Sequence, residues 1–194
     1  IDRVNTQQVQ IKNTMIRTWE TAFFRVLLNH PDVPTLAATA AWDAAGSKIR
    51  TDLSEGIALI EDATTGEAQN YLGFTPDTLV IGKRSRTDLI QSDDFMKAYS
   101  DKLVDKSPAY TGTLPGNFVG LNILVSREMD RLAPGRALLL QRGVVGGIGD
   151  ERPLHVTPLI EDPNRETWRS NTIRQSAIVI DQPKAAAWIT GVGV

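Results

Sequence analysis

The sequence contains no cysteine, which excludes disulfide bonds, zinc sites built from thiolates and cysteine nucleophiles together. Histidine is nearly as scarce, since only His30 and His155 occur, far apart and outside any metal-ligand spacing. The chain has no run of eighteen apolar residues, so no segment is predicted to cross a membrane as a helix. We therefore expect no metal, no cofactor and no membrane partner.

Motifs for nucleotide binding and nucleophilic catalysis also fail. Gly82-Lys83-Arg84 is similar to the end of a phosphate-binding loop, but Asp77 stands where that motif needs glycine and Arg84 where it needs serine or threonine. The glycine-rich residues 143–149 do not fit the dinucleotide fingerprint, and we interpret them as a hairpin tip or bulged turn. No Gly-x-Ser-x-Gly elbow is present. The sequence therefore predicts a protein that is not an enzyme.

Charge and composition are those of an ordinary globular chain. The 194 residues are 41% hydrophobic and 23% charged, enough for one sizeable domain or for two small lobes that share a sheet. The formal net charge of -2 provides no general basic field for nucleic acid. Residues 83–86 are the only tight basic cluster, which we interpret as a solvated helix start. A DNA-binding role would therefore need a local basic patch.

Two helices are predicted in the first third of the chain. Residues 6–29 contain no glycine or proline, and their apolar residues recur at helical spacing, so one long helix is expected there. Pro31 and Pro34 mark its end. A second helix is expected after Ser47 as N-cap, up to the stop at residues 64–66, with Trp42 buried ahead of it as an anchor.

Strands dominate the rest of the chain. Residues 78–81 form a short apolar run after Pro76 and predict a strand, followed by short helices with Ser85 and Ser92 as caps. After Tyr110, glycine and proline punctuate the chain, and further strands are predicted at 121–125, 137–140, 154–160 and 177–180. Helices followed by a run of strands indicate an α+β fold.

Three stretches of the chain resemble one family in order and spacing. They are Pro76-Asp77-Thr78-Leu79-Val80-Ile81, Leu114-Pro115-Gly116-x-x-x-Gly120-Leu121-x-Ile123-x-Val125-Ser126, and Arg174-x-x-Ala177-Ile178-Val179-Ile180-Asp181-x-Pro183 with its continuation to Gly191. Together with the long first helix, they resemble the major capsid proteins of tailed double-stranded DNA bacteriophages, whose fold encapsulins share. None of these patterns contains reactive residues.

The resemblance implies a fold with a long spine helix, a peripheral lobe with a sheet, and an axial lobe. We expect residues 1–40 and 151–181 in the peripheral lobe, 41–150 in the axial lobe, and 182–194 as a closing turn that returns to it. Family members also carry an N-terminal arm and an extended loop before the spine helix. This sequence begins almost at the helix, so we expect it to be a fragment or the ordered part of a longer protein.

The function implied by the resemblance is assembly. The chain is expected to be a structural subunit of an icosahedral capsid that forms pentamers and hexamers around double-stranded DNA, without sequence-specific DNA contact. Scaffolding and portal proteins are the expected partners, the host cytoplasm the expected place of assembly, and the virion the final location. Two alternatives stay open. The first is an encapsulin-type nanocompartment shell, and the second, which the patterns favour less, is a small monomeric α+β enzyme or binding module.

Candidate subunit contacts lie in three segments: the turn at 110–116, the glycine-rich residues 143–149, and residues 185–188. Each of these segments is equally compatible with a plain surface loop. The residues predicted to make contacts are Tyr110, Pro115, Gly143, Gly146, Gly147, Gly149 and Trp188.

Overall fold

The computed structural model describes residues 2–66, 70–100, 116–162 and 167–193. Its helices are α1 (Asp2–Asn29), α2 (Ile49–Glu61), α3 (Lys83–Gln91), α4 (Asp93–Ser100) and α5 (Arg127–Leu132), with a 3-10 turn at Pro183–Ala185. Its strands are β1 (Thr35–Ala37), β2 (Thr78–Ile81), β3 (Asn117–Phe118), β4 (Leu121–Val125), β5 (Arg136–Leu140), β6 (Gly146–Val156), β7 (Ile160–Asp162), β8 (Thr167–Arg169), β9 (Thr172–Ile180) and β10 (Ala186–Thr190).

A six-stranded mixed sheet forms the centre of the molecule, in the order β1-β10-β5-β2-β4-β3. The pairs β1–β10 and β2–β4 are parallel, whereas β5 runs antiparallel to both of its neighbours. Strands β2, β5 and β10 are almost wholly buried, which matches their nearly continuous apolar sequences. Helix α2 packs against β10 and places Leu53 and Ile60 in the core.

Close packing of α2 on the sheet depends on Gly56. A Cβ atom at this position would overlap Cδ1 of Leu139 on β5 and stand 3.4 Å from Cδ1 of Ile189 on β10. A glycine inside a helix weakens it by about 1 kcal/mol relative to alanine. Gly56 is buried against these two side chains, so the close approach of the helix to the sheet requires glycine here despite the weaker helix.

A two-stranded antiparallel ribbon of β6 and β9 lies apart from the six-stranded sheet. Its register runs from Gly146 opposite Ile180 to Val156 opposite Thr172, with irregularities between residues 150 and 155 of β6. Burial alternates strictly along β9, so one face is partly covered and the other faces solvent. Helix α1 packs against the covered face. An isolated two-stranded ribbon is only marginally stable in water, so this contact with α1 is its main support.

Several predicted elements are confirmed. The strand at 78–81 and the strand at 121–125 agree with β2 and β4, and the long helix extends four residues further towards the N-terminus than predicted. Trp42 is fully buried as expected, and its indole Nε1 donates to Asp52 Oδ2 at 3.3 Å. The Ser92 cap is also confirmed, because its hydroxyl accepts from the Phe95 backbone N–H.

Two predicted caps are wrong. Lys48 occupies the N-cap position of α2, while the Ser47 hydroxyl donates to the Trp42 carbonyl instead. Helix α3 begins two residues before Ser85, with Gly82 at its N-cap, so Ser85 is buried inside the helix. The capping acceptor comes from far along the chain: Asp130 Oδ2 accepts from the Lys83 N–H at 2.9 Å.

Two strand predictions need correction. The strand predicted at 154–160 ends at Val156, since 157–159 lie outside any strand and β7 begins only at Ile160. The glycine-rich residues 143–149 are not a hairpin tip, because β6 already begins at Gly146 and the turn is confined to residues 142–144. Helix α5 was not predicted; Ser126 caps it by accepting from the Glu128 N–H.

Candidate subunit interface

The predicted contact residues fall in different environments. Tyr110 and Pro115 lie outside the described residues. Gly143 lies in an exposed turn with a φ of 76°, a left-handed conformation that favours glycine. Gly146, Gly147 and Gly149 lie on β6 of the ribbon. The structure therefore separates a turn from a strand within one glycine-rich segment.

The role of Gly146 is internal to the fold. Its φ is 155°, and a Cβ atom there would overlap the backbone carbonyl oxygen of Val179 on the paired strand. Only glycine meets both conditions without strain. The presence of glycine at this position is therefore explained by the pairing of β6 with β9 and needs no subunit contact.

Gly147 and Gly149 have no such internal explanation. Neither has a positive φ, and a Cβ atom at either position would meet no described atom within 4 Å. They stand opposite Val179 and Ala177, which belong to the solvent-facing set of β9. Glycine within a strand weakens it and often marks a place where another backbone approaches closely. The outer face of the ribbon thus has no side chains at Gly147 and Gly149.

The rest of this outer face is mixed in character. His155 stands opposite Ile173, and Arg152 opposite Gln175. Ile173 is 43% exposed and Val179 is 50% exposed, although both are β-branched apolar residues on a regular strand. We call the solvent-facing set the outer ribbon face; it comprises Gly147, Gly149, Arg152, His155, Ile173, Gln175, Ala177 and Val179.

Trp188 is part of the core and not of a surface. It lies on β10, is 2% exposed, and donates its indole N–H to the Leu27 carbonyl oxygen at 3.4 Å. Large aromatic side chains with a bonded N–H are typical of a core anchor. Its burial argues against the predicted subunit contact at this residue, because the side chain is enclosed within its own subunit.

Arg174 joins the two strands of the ribbon and also contacts α1. Arg174 donates from Nε to Asp150 Oδ1 at 2.9 Å and from a terminal nitrogen to Asp150 Oδ2 at 3.2 Å, while its guanidinium lies 5.5 Å from the Trp19 ring centroid. Ser176 also donates to Asp150. These bonds, led by the one from Arg174, lower the pKa of Asp150 below its ordinary value. The covered face of the ribbon is thereby held in register against the helix.

A second polar cluster fixes α1 to α5. The Thr21 hydroxyl donates to Glu128 Oε2 at 3.0 Å, and Arg131 donates to the same oxygen from two nitrogens. The hydrogen bond from Arg131 is the main reason that the pKa of Glu128 is lowered. Nearby, the Ser126 hydroxyl donates to Glu20 Oε1. Helix α1 is therefore tied to the edge of the six-stranded sheet as well as to the ribbon.

A cavity of about 350 Å³ lies between α1 and the six-stranded sheet. Its lining is mainly apolar and includes Phe23, Phe24, Val80 and Leu124. The one carboxylate among its described lining residues, Glu20, already accepts the Ser126 hydroxyl.

Metal-binding and membrane-spanning features are also missing from the described part of the chain. Across residues 2–66, 70–100, 116–162 and 167–193, no group of three or more candidate ligands is placed to hold a metal ion. None of the helices in those ranges combines the length and apolarity that a membrane crossing requires.

A cationic stripe along α1 was missed by the sequence reasoning. Arg3, Arg17 and Arg25 fall within an arc of about 80° when successive residues are placed 100° apart around the helix axis. All three side chains are exposed. They escaped notice because the search was for tight clusters, whereas these arginines are fourteen and eight residues apart in sequence. A projection of the predicted helix would have found them.

The fold is that of tailed-phage major capsid proteins, as comparison with solved structures shows. A phage-related protein from Bordetella bronchiseptica RB50 is 14% identical with a TM-score of 0.70, over 100% of this chain and 68% of that one. A virus-like particle from Pyrococcus furiosus is 14% identical with a TM-score of 0.60, and the match covers 90% of this chain and 63% of that one. A Mycobacterium phage Che8 protein is 14% identical with a TM-score of 0.61, and the match covers 96% of this chain and 63% of that one. This chain thus spans about two thirds of the length of these structures.

Residues 1–189 match the phage capsid protein family, and the chain belongs to that family. No curated protein matches it. Both the predicted fold and the predicted family are confirmed.

Proposed function

We propose that this chain is a structural subunit of an icosahedral phage capsid, which self-assembles into pentamers and hexamers around double-stranded DNA. The observation that carries the proposal is the family match over residues 1–189. The shared fold supports it independently. Such a role requires complementary surfaces in place of an active site, and the protein acts as a building block without catalysis.

We assign the proposed lobes to two groups of elements. The six-stranded sheet with α2 makes up the axial lobe, and α1 with the ribbon makes up the peripheral lobe. Strand pairing favours two boundaries that differ from those expected from the sequence. Strand β1 (Thr35–Ala37) pairs with β10 inside the six-stranded sheet, so the first peripheral segment ends before it. Strand β6 starts at Gly146, so the second peripheral segment begins there.

The outer ribbon face is the proposed contact between neighbouring subunits. Gly147 and Gly149 make it smooth, and the exposed Ile173 and Val179 make it partly apolar. A copy of the same chain is the partner that a homo-oligomeric shell supplies. The face is nine residues long, at about 3.3 Å per residue, and two strands wide, which gives an area of roughly 300 Å². A stable isolated pair needs about 800 Å² per partner.

This small area has a consequence for assembly. Contact through the outer ribbon face alone is too weak to hold a dimer, so it contributes only when closed symmetry repeats it alongside other contacts. The proposal thus predicts a concentration-dependent, cooperative transition from small species to closed particles, with few intermediates between them.

Gly149→Glu tests both the assembly function and the proposed contact. The new side chain has room within its own subunit, so the fold should tolerate it, but a charge on a closely approached face should block assembly. Sedimentation velocity and negative-stain electron microscopy would measure the assembled fraction. Gly66→Glu is the matched control, since a Cβ there also meets nothing within 4 Å and the residue is not part of β6 or β9. Normal particles from Gly149→Glu would rule out this contact.

The remaining partners follow from the proposed role. Scaffolding and portal proteins are the proposed protein partners, DNA is the content, assembly takes place in the bacterial host cytoplasm, and the virion is the final location. An encapsulin-type nanocompartment shell is the alternative with the same fold. Purified particles distinguish the two, because a phage shell yields nuclease-protected DNA whereas a nanocompartment yields a protein cargo.

A further inference from the structure

Helix α1 carries a continuous polar stripe on its solvent side. Residues three or four apart lie on one side of a helix, and the stripe runs through Arg3, Gln7, Gln10, Thr14, Arg17, Thr18 and Arg25. All seven are exposed. Between Arg3 and Asn29 the only acidic residue is Glu20, which lies off the stripe and accepts the Ser126 hydroxyl. The stripe is therefore cationic within a chain whose net charge is -2.

The arginines of the stripe are available to a partner. Within the described residues, none of the ion pairs within 4.0 Å involves Arg3, Arg17 or Arg25. Thr14 and Thr18 already donate their hydroxyl hydrogens to backbone carbonyls of the helix. The guanidinium groups and the amides of Gln7 and Gln10 are thus the donors that the stripe offers outward.

Helix α5 extends the cationic region without cancelling it. Arg131 donates a hydrogen bond to the hydroxyl oxygen of Thr21. Thr21 lies on the line of the stripe, between Arg17 and Arg25. The charge of Glu128 beside it is already offset by Arg131. Arg17 acts on Glu128 only as a weaker, more distant charge. The three stripe arginines therefore remain an excess of about three positive charges.

The spacing of these charges suits a nucleic-acid duplex. At 1.5 Å per residue, Arg3 and Arg25 are about 33 Å apart along the axis. One turn of B-form DNA is about 34–36 Å long. Arginine and glutamine side chains are among those that contact phosphate oxygens in protein–DNA complexes. A duplex therefore complements the stripe in charge, and its helical repeat is close to the distance between the first and last arginines.

We propose that the α1 stripe contacts the phosphate backbone of the enclosed double-stranded DNA. The inference rests on the proposed shell function and assigns the DNA-facing side of the subunit to this helix. No base edges are read, so the contact is independent of sequence. Three arginine–phosphate contacts give an affinity that falls with salt at a log–log slope of about -2.7.

The test is DNA binding by the soluble full chain. Fluorescence anisotropy with two unrelated 30-base-pair duplexes, from 20 to 150 mM salt, compares the natural chain with the triple variant Arg3→Gln, Arg17→Gln, Arg25→Gln. Glutamine keeps helix propensity and removes only charge. The control Lys12→Gln, Lys48→Gln, Lys83→Gln removes the same charge from exposed residues off the stripe. Lys12 lies on the opposite side of α1.

We expect the natural chain and the control to bind both duplexes equally, and the stripe variant to bind at least tenfold more weakly with a slope near zero. Equal loss in the control and the stripe variant would overturn the inference, as would no binding by the natural chain at 20 mM salt. Unchanged DNA binding with loss of oligomers in the stripe variant would also overturn it and would assign the stripe to an acidic surface of a neighbouring copy. Because binding is measured on the soluble chain, failure to form particles would count against the shell function and not against the stripe.

Discussion

Arg174 of β9 and Asp150 of β6 form a two-bond ion pair across the ribbon, at 2.9 and 3.2 Å, directly beside the packed helix α1. The same guanidinium lies over the ring of Trp19, so one side chain joins both strands and the helix. Arginine is suited to this role because its planar group bonds a carboxylate bidentately and stacks on an aromatic face.

Acid should weaken the attachment of α1. Asp150 and Glu128 both have folded-state pKa values below their ordinary values of 3.8 and 4.5. A lowered pKa contributes stability above the unfolded value, and that stability is lost as pH falls through the folded value. We therefore expect the melting temperature to be steady from pH 7 to about pH 5 and to fall below that, as measured by circular dichroism.

The variant Asp150→Asn, Glu128→Gln isolates this effect. It should melt at a lower temperature than the natural chain at pH 7. Between pH 5 and pH 3 its melting temperature should fall less than that of the natural chain, because neither amide titrates. If the melting temperatures of the natural chain and the variant fell in parallel with pH, these carboxylates would not be the cause of the acid sensitivity.

Asp88 should behave in the opposite sense. Burial is the main cause that raises its pKa, and the nearby carboxylates of Asp43 and Asp130 add to it. A raised carboxyl pKa means that the charged form is disfavoured in the fold, so stability is lost as pH rises through the folded value. Asp88→Asn is expected to raise the melting temperature at pH 7, with the gain disappearing near pH 3. A lower melting temperature at pH 7 would contradict this account.

Gly146 and Gly147 should respond differently to the same substitution. Gly146→Ala forces a positive φ on alanine and a collision with the Val179 carbonyl, at a cost of about 1–3 kcal/mol. Gly147→Ala meets open space at an ordinary φ and should leave stability equal or slightly higher. Urea unfolding of both variants measures the difference. Equal destabilisation would mean that the ribbon register differs from the one described.

Gly56→Ala tests the close approach of α2 to the sheet. The gain in helix propensity is about 1 kcal/mol, whereas overpacking against Leu139 costs roughly 1–3 kcal/mol. We expect a net loss of stability in urea unfolding, and a recovery in the double variant Gly56→Ala, Leu139→Val, where the smaller side chain makes room. A double variant that is no more stable than Gly56→Ala would exclude this explanation.

Local sequence signals were sufficient where an element depends on its own residues. Strand β2 is buried on both faces, so its apolar run alone identified it. Strand β6 was largely missed because glycines, a proline and charged residues fill it, and only its pairing with β9 makes it a strand. The start of α3 was misplaced because the carboxylate that caps it, Asp130, is distant in sequence.

The candidate interface stays a prediction, and the sequence defines it only coarsely. The glycine-rich segment was proposed as one contact, but sequence cannot separate Gly146, which the fold requires, from Gly147 and Gly149, which it does not. Trp188 was taken for a contact because the sequence does not show that its strand, β10, lies between β1 and β5 and that its side chain is buried. The arginines of α1 become a stripe only when the helix is drawn in projection.

Cryo-electron microscopy of particles assembled from the full chain tests the central claim most directly. The account predicts closed shells with fivefold and sixfold capsomers, in which the outer ribbon face of each subunit lies against a neighbouring copy. A chain that stays monomeric at all concentrations would contradict it, as would shells in which Gly147, Gly149 and Val179 face solvent.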